Sequence, residues 1–199
     1  AFFPTQIAGP IKRYPDFVEQ MQADNKIKLS YFDEGVPLII IGMAKKLLLA
    51  DNLAVFVQMG VGAPSNYSGL ELWLFAYAFA FQIYFDFSGY TDIGRGSAML
   101  FGYHIPINFN MPYIASNMSD FWRRWHVSLS TWLRDYLFIP LGGSRGTRLQ
   151  VNRNLFLTMA LGGLWHGASW NFVVWGVFHG LALIVHREFS MWKESTVAL

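Results

Sequence analysis

The chain has 199 residues, of which 53% are hydrophobic and only 14% charged, against about 25% charged in soluble domains. A net charge of +2 is too small for a nucleic-acid surface built on bulk positive charge. The absence of cysteine excludes disulfides, thiolate metal sites and cysteine nucleophiles together. With aromatics at 18%, the composition is that of a membrane protein. The alternative is a greasy soluble helical core, which would be extracted without detergent.

The chain opens on Ala1 and an apolar aromatic pair, with no basic segment ahead of an apolar one. It is therefore not read as a signal peptide but as an internal piece of a longer protein. In Ala1–Met21, Pro4, Gly9, Pro10 and Pro15 forbid a long regular helix. The segment reads as a surface loop or as a headgroup boundary marked by Lys12 and Arg13. Gln22–Lys28 reads as a short solvated connector.

Tyr31–Met59 is apolar but interrupted by Lys45, Lys46 and Asp51. It is either one membrane helix with lysines facing a cavity or the interface, or two shorter segments breaking near Lys45–Lys46. The second reading is preferred. Gly60–Gly69 is turn-rich, and Leu70–Phe87 is long and apolar enough to cross a bilayer core. Asp86 and Asp92 flank FSGYT, with Arg95 following. Such a pair can serve a metal or acid–base site, but more often it caps a helix or binds an arginine. Gly94–Tyr113 is broken by Gly102, Pro106 and Pro112, and its His104 reads as structural.

Ser119–Phe138 carries the strongest helical period. At about 100° per residue, Trp122, Trp125, Leu129, Trp132, Leu133 and Tyr136 form one stripe, with Arg123, Arg124, Thr131, Arg134 and Asp135 opposite. This predicts an amphipathic helix at the membrane interface, capped by Ser119 or Asp120. His126 falls at the edge of the stripe. It either lines a cavity or orients a neighbour. Pro140–Arg153 is a basic, glycine-rich loop whose GGSRG piece lacks the ending of a P-loop.

The stretch around which the chain is organised is Leu161–His179, inside the charge-free run Asn154–His186. Its length suits membrane burial. Ionisable groups at that depth are costly and mark function by default, so His166 is expected to be a buried catalytic base. Gly162, Gly163 and Gly167 permit a break or a close helix contact around it. On one continuous helix His166 and His179 would point to nearly opposite sides, so they are not read as ligands of one metal. His179 is expected to pack a helix–helix contact by hydrogen bonding.

These segments resemble the membrane-bound O-acyltransferase family, in its bacterial alginate O-acetyltransferase branch. The resemblance rests on Tyr84–Gly96 (YFDFSGYTDIGRG), on Pro106–Gly146 with FWRRWH, and on Leu155–Gly180 with LWHGA. The opening FFPTQIAGPIKRY is similar too, while Asn25–Gly69 matches only loosely. The resemblance implies an all-α polytopic membrane helical bundle with re-entrant or interfacial amphipathic helices. Residues 1–199 would form a single membrane-embedded domain, incomplete at both ends, in the bacterial inner membrane. His166 matches the family's active-site histidine, and His126 a second polar position facing the same tunnel. That tunnel would join a cytoplasmic thioester donor, acetyl-CoA or an acyl carrier, to an acceptor across the membrane. No cofactor or metal is expected to be bound. The implied partners are the lipid bilayer, the donor, an exopolysaccharide pathway and a periplasmic acetyltransferase, with no nucleic acid.

The residues themselves favour a base over a nucleophile, because imidazole is the usual group for taking a hydroxyl proton near neutral pH. His126 or Asn171 would orient the acyl group or donate to the developing oxyanion, and Trp165 and Trp125 would line the substrate. The rival reading is a transporter or channel segment in which His166 relays protons or gates.

Overall fold

The computed structural model describes Pro4, residues 9–22 and residues 28–197. Six of the thirteen residues of the opening FFPTQIAGPIKRY motif, and residues 23–27 of the Gln22–Lys28 connector, lie outside the described residues. Helix is the only regular structure among those residues, and the chain packs as two compact units, Ala1–Asn108 and Phe109–Leu199.

In the first unit, α1 (Tyr14–Gln22) is a nine-residue helix with Pro15 in its opening turn, where a missing N–H costs nothing. Its Gln20 side chain hydrogen-bonds the backbone N–H and carbonyl of His104 at 2.8 and 3.1 Å. The His104 ring lies edge-on to Tyr31 at 6.3 Å, which gives it a structural place.

Helix α2 (Ser30–Ala44) runs through a π-helical turn, Lys45–Ala50, into α3 (Asp51–Gly62). The expected break at Lys45–Lys46 is thus a change of winding rather than a chain reversal. The wider turn lets both adjacent lysines reach the antiparallel partner helix α4 (Gly69–Leu100). Lys45 Nζ lies 2.6 Å from Asp92, and Lys46 Nζ lies 2.7 Å from both Asp51 and Asp86. Arg95 adds a looser contact to Asp92 at 3.6 Å.

Helix α4 starts at a capping box in which Ser68 and Glu71 exchange hydrogen bonds. It does not end near Phe87, as the apolar run predicted, but continues to Leu100. Asp86 and Asp92 therefore sit inside a helix and balance lysines instead of capping a helix start. Glycines make the close approach possible. A Cβ on Gly42 would lie 2.6 Å from the Gly89 carbonyl, and one on Gly96 would lie 2.5 Å from the Gly35 carbonyl. Helices meet backbone to backbone at these two levels.

The second unit begins with a 3-10 turn, Pro112–Ile114, followed by α5 (Met118–Arg124) and α6 (Val127–Leu133). A second π-helical turn, Arg134–Phe138, follows α6. The single amphipathic helix expected over Ser119–Phe138 is therefore broken at Trp125–His126. Neither Ser119 nor Asp120 caps it; the Asn117 side chain accepts from Asp120 N–H at 2.8 Å. Asp120 instead holds Arg124 at 3.0 Å.

The loop before α7 (Arg148–His166) is shorter than predicted, because Thr147 and Gln150 form a second capping box and start the helix six residues early. Gly142 and Gly143 have φ of 115° and 58°, in the region that glycine tolerates best. The buried Asn154 side chain donates to the Gly143 carbonyl at 3.1 Å and pins this loop to α7.

Helix α8 (Trp170–Val197) returns antiparallel to α7. The backbones touch where a Cβ on Gly176 would lie 2.5 Å from the Met159 carbonyl and 3.0 Å from the Gly163 Cα. Polar groups gather at one end of this hairpin. Asn152 accepts from Arg187 at 2.9 Å and donates to Glu188 at 2.8 Å, and Arg148 pairs with Glu188. The histidine end carries no such network.

Outward on α8, Val174, Phe178, Leu181, Val185, Phe189 and Trp192 are all at least half exposed. Eighteen residues at 1.5 Å rise give this stripe a length of about 27 Å, close to the thickness of a bilayer core. Among the described residues, Trp170–Thr196 is the one helix long and apolar enough to cross a membrane by length and composition.

Candidate functional site

His166 is the last residue of α7. The helix stops there because Gly167 continues in an extended conformation, and Gly167–Ser169 turns the chain into α8. Gly167 is needed sterically, since a Cβ there would lie 2.8 Å from the Phe172 ring. Phe172 can then lie over the imidazole at 6.0 Å. Trp165 meets the ring edge-on at 5.1 Å and Trp175 at 4.9 Å. The Gly162 carbonyl lies 2.7 Å from His166 Nδ1. A carbonyl only accepts, so the hydrogen bond places the proton on Nδ1. In the neutral ring the lone pair is then on Nε2.

The expected burial of His166 is corrected: the residue is exposed within this chain. It stands at the turn end of the α7–α8 hairpin, where Trp165, Phe172 and Trp175 border its ring. Sequence hydrophobicity signalled an apolar setting but not which surface would cover this end.

His126 is the buried histidine, with 6% of its surface accessible. It has φ 44° and ψ 54°, a left-handed conformation that costs a non-glycine residue on the order of 1–3 kcal/mol. Such a conformation in a side chain of this kind points toward function. Its carbonyl opens α6 by accepting from Ser130 N–H at 2.9 Å. The two imidazoles of His126 and His166 lie within electrostatic reach of each other. The fold thus gathers two histidines that the sequence keeps forty residues apart.

The other expected site residues are placed differently. Trp165 borders His166 but is 57% exposed. Trp125 packs among Phe109, Tyr113 and Phe121 at 5.0, 6.0 and 5.6 Å, so it builds the α5 core. Asn171 is exposed in the first turn of α8, where its backbone N–H bonds to Ser169 Oγ at 3.4 Å. His179 lies on α8 and packs against α5 through rings rather than by hydrogen bonding. Because the helix breaks after His166, it does not point away from His166; both rings meet Trp175, at 4.9 and 4.8 Å. Trp175 and the Gly162 carbonyl were not foreseen, although Trp175 and His179 stand at the i, i+4 spacing that makes helix neighbours. Among the described residues no three His, Asp or Glu side chains converge as a metal site.

A cavity of about 500 Å³ opens beside α5, α6 and α7, against Trp122, Leu133 and Met159. Arg123 and Arg134 also line it, and no carboxylate does.

Among the described residues the class is all-helical, with one helix, α8, of a length and composition that can cross a membrane. The family model of the membrane-bound O-acyltransferases matches residues 1–197. The chain belongs to that family. It is 46% identical to a peptidoglycan O-acetyltransferase of Helicobacter pylori over 96% of its own length and 36% of the relative's. It is 48% identical to a "Probable alginate O-acetylase AlgI" of Azotobacter vinelandii, over 94% of this chain and 37% of that one. A teichoic acid D-alanyltransferase of Bacillus subtilis is 32% identical over 97% of this chain and 51% of that protein. The chain therefore spans about a third to a half of the length of these relatives.

Proposed function

We propose that the protein of which this chain forms the matched portion is a membrane-bound O-acyltransferase. It moves an acetyl or other acyl group from a cytoplasmic thioester, acetyl-CoA or an acyl carrier, toward hydroxyls of an exported polysaccharide such as alginate. In this reading it is a multi-pass protein of the bacterial inner membrane, and it hands over to a periplasmic acetyltransferase partner. Lipid and further helices cover the exposed apolar faces and the turn end of the α7–α8 hairpin, so that His166 works away from bulk water.

His166 is the general base. Its Nε2 takes the proton of the acceptor hydroxyl as that oxygen attacks the thioester carbonyl. The C–O bond forms, the C–S bond breaks, and the thiolate leaves with the proton. The observation that carries this reading is the Nδ1–H bond to the Gly162 carbonyl. It fixes the tautomer that a base requires, as carbonyl and carboxylate partners do for catalytic imidazoles generally. His126 is the group that orients the acyl carbonyl or meets the developing oxyanion. Trp165 borders His166 from α7, and Asn171 stands in the first turn of α8, five residues on.

The test is acyl transfer by the full-length protein in membranes. His166→Ala is expected to lower transfer by about 10³-fold, in the range of a lost general base, with polymer yield unchanged. Full transfer by that variant would end the reading. Loss of polymer export itself would favour the channel alternative.

A further inference from the structure

His179 lies one ring from His166, yet acyl transfer as described gives it no task. It follows Trp175 by four residues on α8, so the two rings share a helix face. Its ring meets Trp175 at 4.8 Å, Trp122 at 5.2 Å and Phe178 at 5.4 Å, all edge-on. It lies flat against Phe121 at 6.1 Å. Trp175 is itself in contact with His166 at 4.9 Å. The neighbouring Gly176 is a point where the backbones of α7 and α8 touch, so the indole between the two imidazoles has little freedom to shift.

Two polar atoms in this cluster, His179 Nδ1 and Trp122 Nε1, are buried and make no hydrogen bond among the described residues. Leaving such atoms unpaired costs stability, and phenylalanine would fill the same space without that cost. The polar atoms therefore call for a ligand. An indole N–H only donates, whereas an imidazole Nδ1 donates or accepts according to tautomer. Together they suit a neutral O–H group, which does both, better than an anion, which only accepts.

We propose that His179 and Trp122 form a polar site for an O–H group, one ring away from His166, supplied by the acyl acceptor or by a bound water. The proposal rests on the reading of His166 as base. The O–H is held by hydrogen bonds alone, and no covalent bond forms at His179.

The test uses the full-length protein in its membrane, with donor and acceptor concentrations varied separately. His179→Phe keeps the ring and removes the nitrogens. It is expected to lower transfer about tenfold or more, as the loss of a positioned hydrogen-bonding group does, while the melting temperature stays level or rises. The amide of asparagine reaches the place of Nδ1 and that of glutamine the place of Nε2. His179→Asn should therefore recover activity that His179→Gln does not. An increase in KM for the acceptor assigns the O–H to the acceptor, and a fall in kcat alone assigns it to water. Trp122→Phe should move the same parameter in the same direction.

Wild-type turnover in His179→Phe overturns the proposal, and so does a glutamine variant as active as the asparagine one. If His179→Phe fails to accumulate, the asparagine–glutamine pair decides. An active His166→Ala enzyme removes the base reading itself. An inactive His166→Ala enzyme alongside a fully active His179→Phe enzyme removes only the site proposed here.

Discussion

The rod of α2 and α3 lies on α4, and α7 lies on α8, and both hairpins close through glycines that meet backbone on the facing helix. Both carry matched charges, Arg148 with Glu188 on the second, but the second adds two histidines that no charged side chain matches among the described residues. On the first, Lys45 and Lys46 are matched by Asp92, Asp51 and Asp86 at 2.6 to 2.7 Å. On the second, His166 gives one nitrogen to a carbonyl, and the Nδ1 of His179 stays buried without a partner. Matched charges at that depth hold helices in register and have little left to offer a ligand. The histidine rings pack through their faces and edges, and the packing leaves His179 Nδ1 without a partner. The glycine contact is thus common scaffolding, and the histidines are what sets the second hairpin apart.

The comparison breaks first at the glycines. Gly163→Val and Gly89→Val should each destabilise the protein by about 3 kcal/mol or more, since backbone atoms cannot yield as a side chain can. Thermal unfolding of the purified full-length protein in detergent measures this. Equal stability would mean that the hairpins close some other way.

His126→Ala is next, with transfer expected to fall about 10²-fold while the melting temperature changes little. The strained backbone of His126 is then a device for placing its ring rather than a fold requirement.

Asp92→Asn should cost roughly 2 kcal/mol, because it leaves Lys45 part-buried without its counter-charge. Combining it with Lys45→Met should recover much of that loss, and per-molecule transfer should be unchanged in all three proteins. A transfer defect at equal stability would move this ion pair into the functional half of the comparison. Smallest is Thr147→Ala, which removes the cap of α7 and should cost about 1 kcal/mol, again without effect on transfer per folded molecule.

Much of the helical content was legible. Leu70–Phe87 folds as helix throughout, and Asn154–His186 and Ser119–Phe138 do so on either side of the breaks at residues 167–169 and 125–126. Boundaries and breaks were less so, for physical reasons. The pattern of Tyr31–Met59 carries no sign of a π-helical turn, because the run around Lys45–Lys46 is apolar on every face and offers no narrow stripe whose phase an extra residue would shift. The reversal at His126 has no glycine or proline to announce it; a left-handed histidine is imposed by its tertiary neighbours.

Glycines 162, 163 and 167 did mark the break after His166. That break brings His166 and His179 to one indole, where a single helix would have set them apart. Residue types nominated the two histidines of the site. They did not reveal the carbonyl that sets the tautomer of one of them, because a backbone partner leaves no mark in the side-chain pattern.

The most direct test of the central claim is the protonation pattern of His166, read by ¹⁵N NMR of histidine-labelled full-length protein in bilayers, with His166→Gln used to assign the signal. At neutral pH the account predicts a neutral ring with hydrogen on Nδ1 and a bare Nε2. A ring protonated at Nε2 with Nδ1 bare, or one carrying both protons, would contradict it.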